Sequence, residues 1–478
     1  MEPEYTEEHD TFRNELASVA RDGRRRWIYA RQPTGPLYRA RTVLGVFLVG
    51  FLFLAPFVRI HGQPLMLLNV LDRHFVILGT VFRPQDFHIV VVLALGGLVT
   101  LVLVTVTLGR VWCGWLCPQT IFMEMLFRRL EYAIEGSAEQ QLRRDRGAWT
   151  TGRALRKGIK HAVFFALSFV IANVFLAWII GAPQLSAIVT DPPSRHLGGL
   201  FAISLFSAVF YAVFARFREQ ACILACPYGR VLSSLLDERT VTVTYDRTRG
   251  EPRSRLIRGA HRHEEGHTGD CIDCHRCVTV CPTGIDIRNG LQLECVACTA
   301  CIDACNDVMH RVGRPPGLIR HVSAEAVRHG SHTRPGARVA AYAAVWVILI
   351  GAGVFLLATR SDLDLVILRQ PGTLYATVAG NEIANFYTVE ALNRTDRPAP
   401  FSIEVLEPRG ATVTTLGAPS EIPANGVLDV RLLLRLPASS ISGSSTAVTF
   451  VVRSNGRIVQ QIDSAFLGPA QGAERQQP

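Results

Sequence analysis

Five long apolar runs, almost free of charge, interrupt an otherwise mixed chain, at about 42–58, 88–108, 161–181, 197–215 and 338–358. The first reads TVLGVFLVGFLFLAPFV. Each is close to the ~20 residues a helix needs to cross a hydrocarbon core, so five membrane spans are expected. The fourth, with Ser204, Ser207 and a terminal Arg216, has the softest boundary. Beyond residue 361 the period changes. Short strand-like runs at 374–380, 383–392, 401–407, 411–417, 428–436, 445–453 and 457–463 are separated by turn residues such as Asn455–Gly456. That pattern predicts a small β-sandwich. The tail 471–478 is expected to be disordered.

Charge adds an orientation. Arg24, Arg25, Arg26, Arg31, Arg39 and Arg41 precede the first span. Arg128, Arg129, Arg143, Arg144, Arg146, Arg153, Arg156, Lys157 and Lys160 fill the loop after the second, whereas the loop after the third has only Arg195. By the positive-inside rule the N-terminus and the loops 109–160 and 216–337 are cytoplasmic, and the tail after about 359 lies on the other side. The excess of 50 basic over 40 acidic residues therefore reads as membrane orientation, and no nucleic-acid partner is expected. With 49% hydrophobic and 19% charged residues, a largely disordered chain is excluded.

All 12 cysteines fall between Cys113 and Cys305. A secreted disulfide scaffold would need a leader, and the first 40 residues are polar and Arg-rich, so metal binding is the stronger reading. Cys271, Cys274, Cys277 and Cys281 form one C-x2-C-x2-C-x3-C run; Cys295, Cys298, Cys301 and Cys305 form another. This is the bacterial spacing for 4Fe–4S clusters, in which the fourth cysteine of each run serves the other cluster. Cys271, Cys274, Cys277 and Cys305 are thus expected to hold one cluster, and Cys295, Cys298, Cys301 and Cys281 the other. Zinc also takes C-x2-C pairs, but four cysteines packed this closely suit a cube better than one tetrahedral ion. Pro282 follows the first run; Asn306 stands in its place after the second, a change of turn and not of ligand.

The other four cysteines repeat C-x3-C-P, as Cys113–Cys117 before Pro118 and Cys222–Cys226 before Pro227, each just beyond an even-numbered span. Residues i and i+4 share a helix face, so each pair offers two sulfurs, and the two halves together offer four. Soft thiolates favour Cu(I), Fe–S or zinc, and Met123 and Met125 are nearby soft donors. The bland alternative is that these are small buried residues at helix ends. His261, His263 and His267, and His321, His329 and His332, sit in polar stretches where solvated side chains are the plainer reading. His275 and His310 neighbour cluster cysteines. Asn393-Arg394-Thr395 matches a glycosylation sequon with no secretory context around it.

The fold class is a multi-domain membrane protein. Its expected parts are an N-terminal segment (1–40), a four-helix region carrying the repeats (41–230), a two-cluster ferredoxin domain (231–337), a fifth span (338–358) and an immunoglobulin-like sandwich (361–470). Together with the run CPTGIDIRNGLQLEC at 281–295, this layout resembles the cytochrome c oxidase accessory protein family (CcoG/FixG/RdxA), a group of bacterial inner-membrane polyferredoxins. The resemblance implies 4Fe–4S clusters on the eight ferredoxin cysteines. It also implies a cupric reductase role, with Cu(II) reduced to Cu(I) near Cys113, Cys117, Cys222 and Cys226 for assembly of a cbb3-type oxidase. A cytoplasmic electron donor, a copper chaperone or transporter and oxidase assembly factors are the implied partners. A homodimer completing a site stays open. So do two other functions: a copper-binding scaffold with structural clusters, and a quinol-linked conduit to a periplasmic reductase. No Rossmann fingerprint sits between a strand and a helix, so no nucleotide or flavin domain is expected.

Overall fold

In the computed structural model, the described residues are 17–20, 22–60, 62–71, 73–255, 269–330, 336–372, 374–378, 381–395, 397–417 and 421–469. His261, His263, His267, His332 and the tail 471–478 lie outside them. The chain divides into two compact units, Met1–Val354 and Phe355–Pro478.

Five helices are long and apolar enough to span a membrane: Pro36–Leu54, Pro84–Leu108, Thr151–Ile180, Leu197–Phe217 and Ala337–Ala358. Their outer faces expose Phe47, Phe201, Val209 and Ile348, which suits lipid and not water. The first helix begins at Pro36, earlier than its apolar run, because proline is pre-organised for a first helical turn. It ends at Leu54, although Ala55 keeps helical backbone and its N–H still donates to the Phe51 carbonyl. The third begins at Thr151, not 161: the Thr150 side chain caps the Arg153 N–H, and the basic stretch continues the same helix. The second and fifth helices approach closely at small residues. Gly96 faces Ile350, Gly353 faces Leu93, and the Trp346 indole donates to Thr100 Oγ1 at 2.8 Å.

Two small sheets were not visible in the sequence. Met66–Asn69, His74–Ile77 and Thr80–Phe82 form an antiparallel sheet around Leu67, Val76 and Val81, which packs on the third helix. Thr242–Tyr245 pairs antiparallel with Ile319–Val322, so both ends of the ferredoxin segment are tied together.

The second unit is a sandwich. One sheet runs in the order Thr412–Leu416, Val427–Pro437, Glu382–Asn393, Leu363–Arg369, with Ala376–Val378 also on Glu382–Asn393. The other is Ser402–Glu407, Ser445–Ser454, Arg457–Leu467. Alternation along Val427–Pro437 buries Val430, Leu432, Leu434 and Leu436 against Tyr387, Phe450 and Phe466. The expected strand at 374–380 is described only over Ala376–Val378, and Leu363–Arg369 was missed because its apolar residues follow the fifth span directly. Asn393, fully buried, donates to the carbonyls of Arg397, Ile422 and Pro423, so the sequon match marks a turn organiser.

Candidate metal centre

Each ferredoxin loop turns tightly by the same device. Asp273 and His275 in the first, and Ala297 and Thr299 in the second, take left-handed backbone at equivalent positions between the cysteines. Non-glycine residues in that region cost on the order of 1–3 kcal/mol each, a strain typical of ligand-holding loops. The loops surround two cavities. Cys271, Cys274, Cys277 and Cys305 line one; Cys281, Cys295, Cys298 and Cys301 line the other, with Cys277 at the edge of both. After Cys281, Pro282 begins a turn, whereas Asn306 lets Ala300–Arg311 continue as a helix and accepts the Gly317 N–H at 2.9 Å.

Burial pushes the thiols of Cys277, Cys295 and Cys305 up to about 12 and that of Cys301 well above its ordinary value. Burial alone thus favours SH, while iron reverses the preference, because a coordinating thiol is deprotonated outright. Among the described residues, no three His, Cys, Asp or Glu side chains stand close enough to hold a single metal ion. Four sulfurs and largely apolar walls in each cavity fit a 4Fe–4S cluster.

The C-x3-C-P pairs are not continuous helix. Cys113 lies in the short helix Val111–Trp115, but Cys117 is extended and caps a new helix at Pro118; Cys222 lies in a π-turn, and Cys226 is extended before Pro227. The residue before proline is biased to that conformation. The repeat is conformational too. Gly109 and Arg218, each four residues before the first cysteine of its pair, both have positive φ. The four cysteines are electrostatic neighbours: burial first raises Cys222 to about 12, and Cys117, Cys113 and Cys226 add to it, with Arg110 opposing. Cys113 is raised by burial, Cys117 and Cys226, again against Arg110. Met123 joins no sulfur site; it is buried with Phe122, Phe127, Phe164 and Phe214. Met125 is buried beside Gly45 of the first helix.

One member of this quartet, Cys113, touches the ferredoxin domain directly. Cys113 packs with Val280, Val296 and Cys298. A Cβ on Gly114 would stand 2.5 Å from the Val296 carbonyl oxygen and 2.9 Å from the Cys298 nitrogen, so only glycine admits the contact. The Arg41 Nε donates to the Gly114 carbonyl at 2.6 Å. At the far end, Cys274 is the exposed member of the eight ferredoxin cysteines. His275 meets Arg288 at 2.8 Å, whereas His310, His321 and His329 join no metal-sized group.

Asp303, between Cys301 and Cys305, locks the domain to the first span. It accepts from the N–H groups of Leu37 at 3.3 Å and Tyr38 at 2.8 Å, the orphan donors of that helix. Asp303→Ala is expected to cost about 0.5–2 kcal/mol, read as a lower unfolding temperature in detergent, with Asp303→Asn losing less. Nothing local marks Asp303 in the sequence. Gly114 had one signal, its alignment with the bulky Ile223 of the second repeat.

Family models match in three places: a 4Fe–4S dicluster domain over 217–324, a 4Fe–4S binding domain over 90–134, and the IG-like fold at the C-terminal of FixG over 353–469. Protein RdxA of Cereibacter sphaeroides is 34% identical over 469 residues, covering 92% of this chain and 97% of its own length. The chain belongs to the FixG/RdxA family. Nitrogen fixation protein FixG of Rhizobium meliloti is 31% identical over 436 residues, 82% of either chain. A solved FixG-related protein from Vibrio parahaemolyticus covers 23% of this chain and 97% of its own at 17% identity, with a TM-score of 0.20. As a FixG/RdxA protein, this chain is a membrane iron–sulfur electron-transfer protein with two 4Fe–4S-binding domains and an immunoglobulin-like C-terminal domain.

Proposed function

We propose that this protein is a cupric reductase that supplies Cu(I) for assembly of a cbb3-type haem–copper oxidase. One observation carries the reading: the repeat that brings four soft sulfur donors, Cys113, Cys117, Cys222 and Cys226, into one neighbourhood meets the second ferredoxin loop at Cys113 and Gly114. Two 4Fe–4S clusters, on Cys271, Cys274, Cys277 and Cys305 and on Cys281, Cys295, Cys298 and Cys301, supply one-electron chemistry when bound. Exposed Cys274 marks the uptake face for a cytoplasmic donor, and buried Cys298 faces the quartet. Cu(II) gains one electron to become Cu(I), with no proton moved. Soft sulfur stabilises that product and so favours the step. Cu(I) is content with two soft ligands and needs no three-sulfur group. The basic flanks support an N-terminus and ferredoxin domain on the cytoplasmic side and a sandwich on the opposite, periplasmic side, as expected of a bacterial inner-membrane protein. A copper chaperone or transporter receives the ion.

Substitution of the quartet by serine tests this. In protein purified without oxygen, Cu(II) reduction is expected to fall at least about a hundredfold, or roughly 2.7 kcal/mol in barrier, while the ferredoxin-type paramagnetic signals persist. Undiminished reduction would defeat the assignment; copper retained but never reduced by the native chain would favour a scaffold.

A further inference from the structure

Two buried arginines flank the junction between the quartet and the second ferredoxin loop. Arg41 is 1% exposed and donates to the Gly114 carbonyl; Arg110 is 5% exposed and donates to the Leu293 carbonyl, two residues before Cys295. Among the described residues neither guanidinium has a carboxylate partner, and Arg41 Nη2 and Arg110 Nε have no hydrogen-bond acceptor. The missing carboxylate sets them apart. The nearby buried cations are paired: Arg25 with Glu219 at 2.9 Å, Arg128 with Glu124 at 2.6 Å, Arg218 with Glu131 at 2.7 Å and Lys160 with Glu135 at 2.9 Å. The repeat itself breaks here, because the position equivalent to Arg110 is Glu219. A buried charge without a partner costs several kcal/mol. The sulfurs within their reach are Cys298 for Arg41, where Glu124, itself paired with Arg128, opposes it, and Cys113, Cys222 and Cys295 for Arg110. Beside the first cavity the balance differs. Arg288 is held by Asp286 and Asp273, each at 2.6 Å, so its charge is already neutralised.

We infer that Arg41 and Arg110 are positioning residues whose unpaired charge makes the second ferredoxin cavity the stronger electron acceptor, so that electrons run downhill from the exposed Cys274 side toward the quartet. This rests on the ligand sets above and not on copper. A buried cation stabilises an added electron at the nearby sulfurs, and a neutralised one does not. Arg110, between Cys113 and Cys295, is shared by both stations.

The test is a redox titration of the intact protein followed by electron paramagnetic resonance, with no copper present. In the native chain the cluster on Cys281, Cys295, Cys298 and Cys301 is expected to reduce first. In Arg41→Gln and Arg110→Gln its reduced-to-oxidised ratio at fixed potential is expected to fall about tenfold, 59 mV for one electron. The other cluster should stay put, and Arg41→Lys or Arg110→Lys should restore the native value. Equal shifts of both clusters, or none, would overturn the inference. A second measurement leaves both arginines in place: Asp286→Asn removes one of the carboxylates that neutralise Arg288, so the first cluster should become easier to reduce. An unchanged or lower potential there would also overturn it. Either failure leaves Cu(II) reduction, assayed separately, untouched.

Discussion

Serine at Cys305 is expected to remove the same cluster as serine at Cys271, although Cys305 belongs to the other sequence run. Cys305 lines the cavity of Cys271, Cys274 and Cys277, and Cys281 lines that of Cys295, Cys298 and Cys301. Each of these variants should lose about half of roughly eight irons per chain. Cys305→Ser and Cys271→Ser should leave one identical residual signal, and Cys281→Ser and Cys295→Ser the other. The functional loss should be nearly complete, since either site interrupts the only row of sulfurs described between Cys274 and the quartet. Iron and sulfide analysis with low-temperature paramagnetic spectra checks this. A Cys305→Ser spectrum matching Cys295→Ser would mean that each run serves its own cluster.

The second large effect is expected from one added methyl group. Gly114 sits in a helical turn with ordinary backbone, where alanine would normally gain about 1 kcal/mol. Here the new Cβ meets backbone of Val296 and Cys298, which cannot rotate away as a side chain can. Overpacking of this kind costs about 1–3 kcal/mol, so the clash outweighs the propensity. Gly114→Ala should keep both ferredoxin clusters yet slow Cu(II) reduction at least about tenfold, roughly 1.4 kcal/mol of barrier, by parting the loop from Cys113. Gly158→Ala, whose Cβ would meet nothing within 4 Å, is the control and should be neutral or slightly stabilising. Native turnover in Gly114→Ala would show that this contact does not carry the transfer.

What could be read from the sequence was local. The spans, the ferredoxin spacing, the C-x3-C-P repeat and the alternating strands are each written within about 20 residues. The joints between them are not. Asp303 caps a helix 266 residues away, Gly114 meets the Cys295–Cys298 loop, and Arg110 reaches Leu293. Such contacts depend on tertiary placement, and one glycine or aspartate carries no periodic signal. Strand Leu363–Arg369 was hidden for the opposite reason, because its apolar residues merge with those of the fifth span. The helical reading of the cysteine pairs failed on a local rule, the extended bias before Pro118 and Pro227.

The most direct test is a single turnover. The protein is reduced anaerobically, freed of excess reductant and mixed rapidly with chelated Cu(II), while cluster absorbance and trapped Cu(I) are followed together. Cluster oxidation and Cu(I) formation are expected to share one rate and to yield about two Cu(I) per chain, one electron from each cluster. Clusters that stay reduced while Cu(II) persists would contradict the proposed reductase.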